Sequence, residues 1–163
     1  MPLVWRSHDW AKFSPKESGK TLKMQKNSSL HPKDILVVDD VPAICSLLSD
    51  YFEIMGHNVE TASTAAAALE LLAGNPFSLV ITNMQLERSQ RSGGLEVVRR
   101  AKQNCPPTPV IVISGGLSHQ TALQLALLRA DAFLQKPIEL KTLHGIAREL
   151  MNQSSHCEVG VPN

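Results

Sequence analysis

Five short apolar runs alternate along this chain with five segments of helical periodicity, and no other feature constrains the fold as strongly. The runs are rich in Val, Ile and Leu and lack polar alternation, which is typical of strands buried on both faces of a parallel sheet. Repeated β-α units of this kind predict one doubly wound α/β domain with helices on both faces of the sheet. The predicted strands are residues 34–39, 58–62, 79–82, 109–113 and 132–135.

Proline, glycine and capping residues mark the ends of the predicted helices. Pro42 stands in a first turn, where proline is tolerated, and Gly56 stands where the first helix should end. For the second helix, Ser63 is the predicted N-cap and Gly74 the predicted end. Each boundary falls between an apolar run and a helical segment, so the alternation is consistent along the chain.

Charge is distributed unevenly between the start of the chain and the rest. The formal net charge is +1, but residues 1–33 hold seven basic and two acidic residues, a net of +5. The remainder holds nine basic and thirteen acidic residues, a net of −4. We therefore predict three parts: a basic flexible arm over residues 1–33, a domain over 34–151, and a disordered tail over 152–163.

The basic arm has two interpretations. Its aromatic residues, Trp5, Trp10 and Phe13, are unusual for a plain linker and suit a docking arm for an acidic partner or for phosphate. Alternatively the segment is an N-terminus without a role, or the true start of the protein is Met24. Both interpretations stay open on the sequence.

Several classes of protein are not expected. No apolar run reaches about 18 residues, so no transmembrane helix is predicted, and the N-terminus lacks the apolar stretch of a secretory signal. Cys45, Cys105 and Cys157 are scattered and form no CxxC pair, which suits neither a disulfide framework nor a zinc site. We expect a cytoplasmic protein with reduced thiols.

Polar side chains follow four of the five predicted strands. Asp39 and Asp40 follow the first, Asn83 the third, Ser114 the fourth and Lys136 the fifth. In open parallel sheets, ligands bind at this carboxyl edge. Adjacent carboxylates are costly unless a cation shares them, and Mg²⁺ prefers oxygen ligands. A serine hydroxyl and a lysine ammonium can bind phosphoryl oxygens. The set therefore predicts a pocket for a cation and a phosphoryl group.

At these positions the sequence resembles the receiver domain of bacterial two-component response regulators. The similarity lies in ILVVDDVPAICSLL, LVIT before position 83, PVIVIS and DAFLQKP. It covers about residues 34–151 and implies the flavodoxin-like fold with strand order 2-1-3-4-5.

The resemblance also implies roles for the pocket residues. The acid pair Asp39 and Asp40 would bind Mg²⁺, and position 83 would accept a phosphoryl group from a histidine kinase. Ser114 and Lys136 would sense that group. Phe133 resembles the aromatic residue that changes rotamer on activation, with plain core packing as the alternative.

Position 83 departs from the family, because it is Asn. A carboxamide has no anionic oxygen to attack a phosphoryl group, so no aspartyl phosphate is expected. The metal site loses one of three negative charges, so its Mg²⁺ affinity should fall. The loop that follows has no proline in 84–86, and its next glycines, Gly93 and Gly94, come two or three residues late.

Charged residues accompany this departure. We expect Arg88, Arg91 or Lys136 to replace the charge of the metal at the acid pair. A further difference lies at Arg129, where the family commonly has a glycine that ends the fourth helix. If that position requires left-handed backbone, arginine costs about 1 kcal/mol there.

Together these features predict a stand-alone pseudo-receiver, a non-enzymatic signalling module that acts by phosphorylation-independent protein–protein interaction. A histidine kinase or another signalling protein is the expected partner. A homodimer through the face from the fourth to the fifth helix is a further expectation, because Leu123, Leu125, Leu127 and Leu128 make the fourth helix widely apolar. The alternative for that helix is complete burial.

The sequence leaves two other functions open. The basic arm could make the chain a nucleic-acid-binding or kinase-docking adaptor, although no helix-turn-helix follows and sequence-specific recognition is not expected. The receiver could instead be regulated at another site, such as Ser89 or Ser92. An enzyme is not expected, because Val41 replaces the second Asp of haloacid-dehalogenase-type phosphatases and the first turn lacks the glycines of a nucleotide site.

Overall fold

The computed structural model of the protein describes residues 34–86, 93–104, 107–116 and 118–154. Five parallel strands form one sheet in the order β2-β1-β3-β4-β5, which confirms the predicted doubly wound α/β class and the strand order. The strands are β1 (Asp34–Val38), β2 (Asn58–Ala62), β3 (Leu79–Asn83), β4 (Val110–Ser114) and β5 (Ala132–Gln135). The helices are α1 (Pro42–Ile54), α2 (Ala65–Gly74), α3 (Gly93–Gln103), α4 (His119–Leu127) and α5 (Leu140–Ser154).

Successive residues of the central strands point into two separate hydrophobic cores. On one face, Ile35 and Val37 pack with α1 and α5. On the other face, Leu36 and Val38 pack with α2, α3 and α4. All four side chains are almost completely buried, and burial of an aliphatic side chain of this size stabilises the fold by about 1.5–3 kcal/mol. This two-sided burial is why the strands contain no alternating polar residues.

The boundaries of two elements differ from the sequence prediction. Thr64, and not Ser63, is the N-cap of α2, because its hydroxyl accepts a hydrogen bond from the Ala67 N–H at 3.1 Å. At the other end of the domain, α5 continues to Ser154, past the boundary at 151 that the sequence suggested. The predicted arm over 1–33 and residues 155–163 lie outside the described residues. In the part that is described, no helix combines the length and apolarity needed to cross a bilayer.

Two helices end in the same hydrogen-bonding pattern, one with glycine and one with arginine. After α1, Gly56 has a φ of 91°, and the N–H of His57 donates to the Phe52 carbonyl at 3.1 Å. After α4, Arg129 has a φ of 58°, and the N–H of Ala130 donates to the Leu125 carbonyl at 3.1 Å. Both are Schellman motifs, which require left-handed backbone at this residue. Arg129 therefore adopts the left-handed backbone on which the expected cost of arginine depended.

Replacing Arg129 with glycine should stabilise the protein. We expect Arg129→Gly to raise the free energy of unfolding by about 1 kcal/mol, because glycine adopts left-handed backbone without steric cost. Urea denaturation measures this change. Gly56→Ala is the matched control and should lower the free energy of unfolding by a similar amount, since an added Cβ there would meet no atom within 4 Å and only the backbone resists it. An unchanged or lower stability of Arg129→Gly would contradict this account of the α4 terminus.

Candidate functional site

The strand register brings the predicted polar residues to one edge of the sheet. Val38 lies opposite Thr82, Asn83 opposite Ile113, and Ser114 opposite Gln135. Residues that directly follow or end these strands therefore share the carboxyl edge, as the sequence indicated. The structure joins the side chains of two pairs, Lys136 with Asp39 and Asn83 with Asp40.

Asp39 is a buried carboxylate with two partners. The residue is only 3% exposed, and its Oδ1 accepts a hydrogen bond from the Val41 N–H at 2.9 Å. Its Oδ2 lies 3.5 Å from the Lys136 Nζ. Lys136 is held in this position through its own backbone, because its N–H donates to the Ser114 carbonyl at 2.8 Å. The ammonium thus provides the compensating charge that a buried carboxylate requires.

Asn83 uses its carboxamide as both a donor and an acceptor. Its Nδ2 donates to the Asp40 Oδ1 at 3.2 Å and to the Gln85 carbonyl at 2.9 Å. Its Oδ1 accepts from the Gln85 N–H at 3.4 Å. A carboxylate at this position could make only the last of these contacts, because an ionised Asp has no hydrogen to donate. The surroundings of position 83 are therefore matched to an amide.

Ser114 does not reach toward position 83 in this structure. Its hydroxyl donates to the Gly116 carbonyl at 2.6 Å and accepts from the Gly116 N–H at 3.3 Å, so it is engaged within its own turn. Phe133 is buried in the core shared with α2, α3 and α4, which is the packing position that the sequence offered as an alternative. Its role as a switch remains a prediction.

Two residues at this edge were not identified as part of the site from the sequence. Gly94, the second residue of α3, lies so close to β3 that an added Cβ would be 2.6 Å from the carbonyl oxygens of Asn83 and Met84. Cys45 on α1 donates its thiol hydrogen to the Asp39 carbonyl at 3.2 Å. Burial raises the pKa of this thiol, and the neighbouring carboxylates of Asp39 and Asp40 raise it further, so the thiol stays protonated as a donor. In the sequence, only the late position of Gly93 and Gly94 indicated the contact of Gly94 with β3. Nothing in the sequence indicated the contact of Cys45 with Asp39.

The two carboxylates of the pocket already have partners within the protein. Among the described residues, no group of three or more His, Cys, Asp or Glu side chains is placed to hold a metal ion. Of the two carboxylates, that of Asp39 faces the Lys136 ammonium, and that of Asp40 accepts the Asn83 amide hydrogen. Mg²⁺ prefers oxygen ligands, and the Asn83 amide directs its NH₂ group, not its oxygen, toward Asp40. Arg88 and Arg91, the other predicted replacements for the metal, lie outside the described residues.

Comparison with known proteins shows what this chain is similar to. The response regulator receiver domain family matches residues 35–148. Response regulator protein PilR of Pseudomonas aeruginosa is 38% identical over 116 residues, which cover 71% of this chain and 24% of PilR. The chain spans about a quarter of the length of the curated relatives it matches.

Solved structures share the fold over most of the described chain. A CheY-like response regulator receiver domain protein from Methanospirillum hungatei has a TM-score of 0.69 and 28% identity, over 77% of this chain and 99% of that one. The beryllofluoride-activated NtrC4 receiver domain dimer has a TM-score of 0.64 and 28% identity, over 74% of this chain and 97% of that one.

Removing the Lys136 ammonium from its ion pair with the buried Asp39 should destabilise the fold. We expect Lys136→Met to lower the free energy of unfolding by about 1–3 kcal/mol, because it leaves a buried carboxylate without its counter-charge, and the partial exposure of Lys136 keeps the loss below that of a fully buried pair. Lys136→Arg retains the charge and serves as the control. Adding Asp39→Asn to Lys136→Met should recover part of the loss, as measured by urea denaturation. A Lys136→Met stability within about 0.5 kcal/mol of the unaltered protein would mean that the pair contributes nothing.

Proposed function

This chain belongs to the response regulator receiver family of two-component systems, and from that premise we propose that it signals without an aspartyl phosphate at position 83. Receiver domains are signalling modules that typically bind Mg²⁺ at the phosphorylation site. The observation that carries the proposal is the hydrogen bond from the Asn83 amide to the Asp40 carboxylate at 3.2 Å. In this protein the acceptor position donates a hydrogen bond to Asp40, one member of the acid pair, and does not add a third negative charge.

The chemistry of the carboxamide supports this proposal. Phosphoryl transfer to the side chain requires an anionic oxygen as the nucleophile, and the amide oxygen of Asn83 carries no such charge. The amide nitrogen is not basic, and its hydrogens are directed to Asp40 and to the Gln85 carbonyl. Neither atom of the amide is therefore equipped to attack a phosphoryl donor.

We also propose that Mg²⁺ binding is weakened. A metal ion entering between Asp39 and Asp40 would have to displace the Lys136 ammonium from one carboxylate and the Asn83 amide from the other. With Lys136 included, the pocket holds a net charge of about −1, whereas a third carboxylate would double that attraction. The Lys136 ammonium and the Asn83 amide thus contact the two carboxylates that a cation would otherwise bind.

The output of such a module is contact with another protein. On α4, Leu123 is 64% exposed and Leu127 is 82% exposed, and the two side chains are one helical turn apart. Leu125 is buried and Leu128 packs against the core, so the apolar arc of this helix is shared between the core and the surface. We propose that the exposed pair forms part of a homodimer or partner interface over α4, β5 and α5, with a histidine kinase or another cytoplasmic signalling protein as the partner. The NtrC4 receiver domain dimer is consistent with self-association of this fold.

Acetyl phosphate should not phosphorylate the unaltered protein. We expect no gain of a phosphoryl group by intact mass, whereas Asn83→Asp should gain one when Mg²⁺ is present. Without Mg²⁺ the same variant should be less stable by about 1–3 kcal/mol, because it leaves the Gln85 carbonyl without its donor and sets a third carboxylate beside Asp40. Asn75→Asp, an exposed change at the end of α2, is the matched control and should show neither effect. Stoichiometric acid-labile phosphate on the unaltered chain would refute the proposal.

Self-association should depend on the exposed leucines of α4. We expect sedimentation of the full chain to show a concentration-dependent dimer that Leu127→Glu weakens by about tenfold or more, since a buried carboxylate at an apolar contact costs well over 1.4 kcal/mol. Ala66→Glu, at an exposed site on α2, is the control for a general effect of added charge. A strict monomer at all concentrations, unaffected by Leu127→Glu, would exclude the homodimer.

A further inference from the structure

The two parts of the chain on either side of residue 34 carry opposite charge. Residues 34–86, which run from β1 through β3, contain seven acidic residues and no Lys or Arg. Residues 1–33 contain seven basic and two acidic residues. Of the seven acidic side chains, five are exposed, those of Asp34, Asp50, Glu53, Glu60 and Glu70. The first half of the domain thus presents an acidic surface directly after a cationic segment.

The solvent face of α1 combines this acidity with apolar side chains. Its core face is formed by Cys45, Leu48 and Phe52. On the opposite face, Leu47 is 49% exposed and Ile54 is 80% exposed. Residues three, four and seven apart share one side of a helix, so the exposed Asp50 lies between these two apolar side chains, and Glu53 lies beside them. We call Leu47, Asp50, Glu53 and Ile54 the α1 strip.

The negative charge at the C-terminal end of α1 has no cationic partner among the described residues. The C-terminus of a helix carries a partial negative charge and favours cationic side chains. α1 has no basic residue in its last turn and instead has Glu53 there. Within the described ranges, neither Asp50 nor Glu53 forms an ion pair, and the Glu53 carboxylate accepts only the Ser49 hydroxyl, at 3.0 Å. A cationic ligand at this end of the helix would relieve the repulsion.

The cationic segment enters the domain at the same end of α1. Residue 34 begins β1, where it pairs in register with Asn58, and the Asn58 Nδ2 donates to the Asp34 Oδ1 at 2.8 Å. Asn58 follows Ile54 by only four positions, so the chain that precedes β1 starts beside the end of the α1 strip. A random coil of 24 residues, the separation of Trp10 from Asp34, spans about 27 Å on average. The α1 helix is about 20 Å long, which lies within that reach.

We propose that residues 1–33 bind in cis across the α1 strip. Lysine side chains of the segment oppose Asp50 and Glu53, and Trp5 and Trp10 cover Leu47 and Ile54. A segment tethered beside its site has an effective concentration in the millimolar range, so a weak contact is sufficient to keep it bound. This inference is independent of the chemistry at position 83.

Tryptophan fluorescence tests the proposal on the full chain without labels. Trp5 and Trp10 are the two tryptophans of the sequence, and residues 34–163 contain none, so the emission reports on this segment alone. We expect the tryptophans of the unaltered protein to be shielded from acrylamide at low salt and blue-shifted relative to free N-acetyl-tryptophanamide. High salt should partly release them, because it screens the lysine–carboxylate attraction.

Surface variants locate the contact. Ile54→Glu, Leu47→Ser and Glu53→Lys should each increase acrylamide quenching and shift the emission to the red. Two matched controls lie on other helices, at exposed positions outside the proposed interface: Ala66→Glu on α2 and Glu96→Lys on α3. Both controls should leave the emission unchanged. Circular dichroism of each variant verifies that the fold is retained, which the exposure of the altered residues favours.

Three results would overturn the proposal. The first is quenching of the unaltered protein equal to that of free N-acetyl-tryptophanamide. The second is shielding that none of the α1 variants changes, or that Ala66→Glu removes, because the segment would then lie elsewhere. The third is shielding that appears only as the protein concentration rises, because the occupant of the strip would then be a second copy of the chain.

Discussion

A carboxylate buried at the end of β1 needs a compensating charge, and the arrangement of this edge of the sheet follows from that need. Asp39 is almost fully buried, and an unpaired ion in such a position would cost several kcal/mol. Lys136 approaches it from the end of β5, and Val41 donates a backbone hydrogen bond from the other side. The two outermost elements of the pocket are therefore held together by electrostatics as well as by the sheet.

The amide at position 83 extends the same compensation to the second carboxylate. Exchanging one carboxylate oxygen for an NH₂ group converts an acceptor into a donor, and that donor contacts both Asp40 and the Gln85 carbonyl. Under our proposal the amide has two effects together, since position 83 offers no anionic nucleophile and the demand of the acid pair for a cation is reduced. The close approach of Gly94 to the backbone of Asn83 and Met84 fixes this position against α3. In this account the pocket is a stable structural element of a receiver fold that signals through its surfaces.

Much of this fold could be predicted from the sequence, because strands that are buried on both faces of a parallel sheet consist of consecutive apolar residues. Parallel strands also place their carboxyl ends together, so the residues that form the pocket could be predicted from their positions after the strands. The strand order and the left-handed position at Arg129 came from the family resemblance, since periodicity alone specifies neither. The individual contacts between side chains were harder to predict from the sequence. Lys136 was one of three candidate cations for the acid pair, and the bonds of Asn83 to Gln85 and of Ser114 to Gly116 depend on loop backbone that no pattern encodes. Ser63 and Thr64 are adjacent and chemically equivalent caps, so only the backbone geometry decides between them.

We propose that the Lys136 ammonium and the Asn83 amide hold the two carboxylates of the acid pair in place of a metal ion, and a Mg²⁺ titration tests this most directly. Amide chemical shifts of the full-length protein would be followed as Mg²⁺ and then beryllofluoride are added, with Asn83→Asp measured in parallel. We expect Mg²⁺ to shift the amides of Asp39, Asp40 and Lys136 in the unaltered protein only at concentrations well above those that saturate the variant, and we expect beryllofluoride to act on the variant alone. Mg²⁺ binding by the unaltered protein as tight as that of the variant, followed by beryllofluoride-dependent shifts that spread into α4 and β5, would contradict the account.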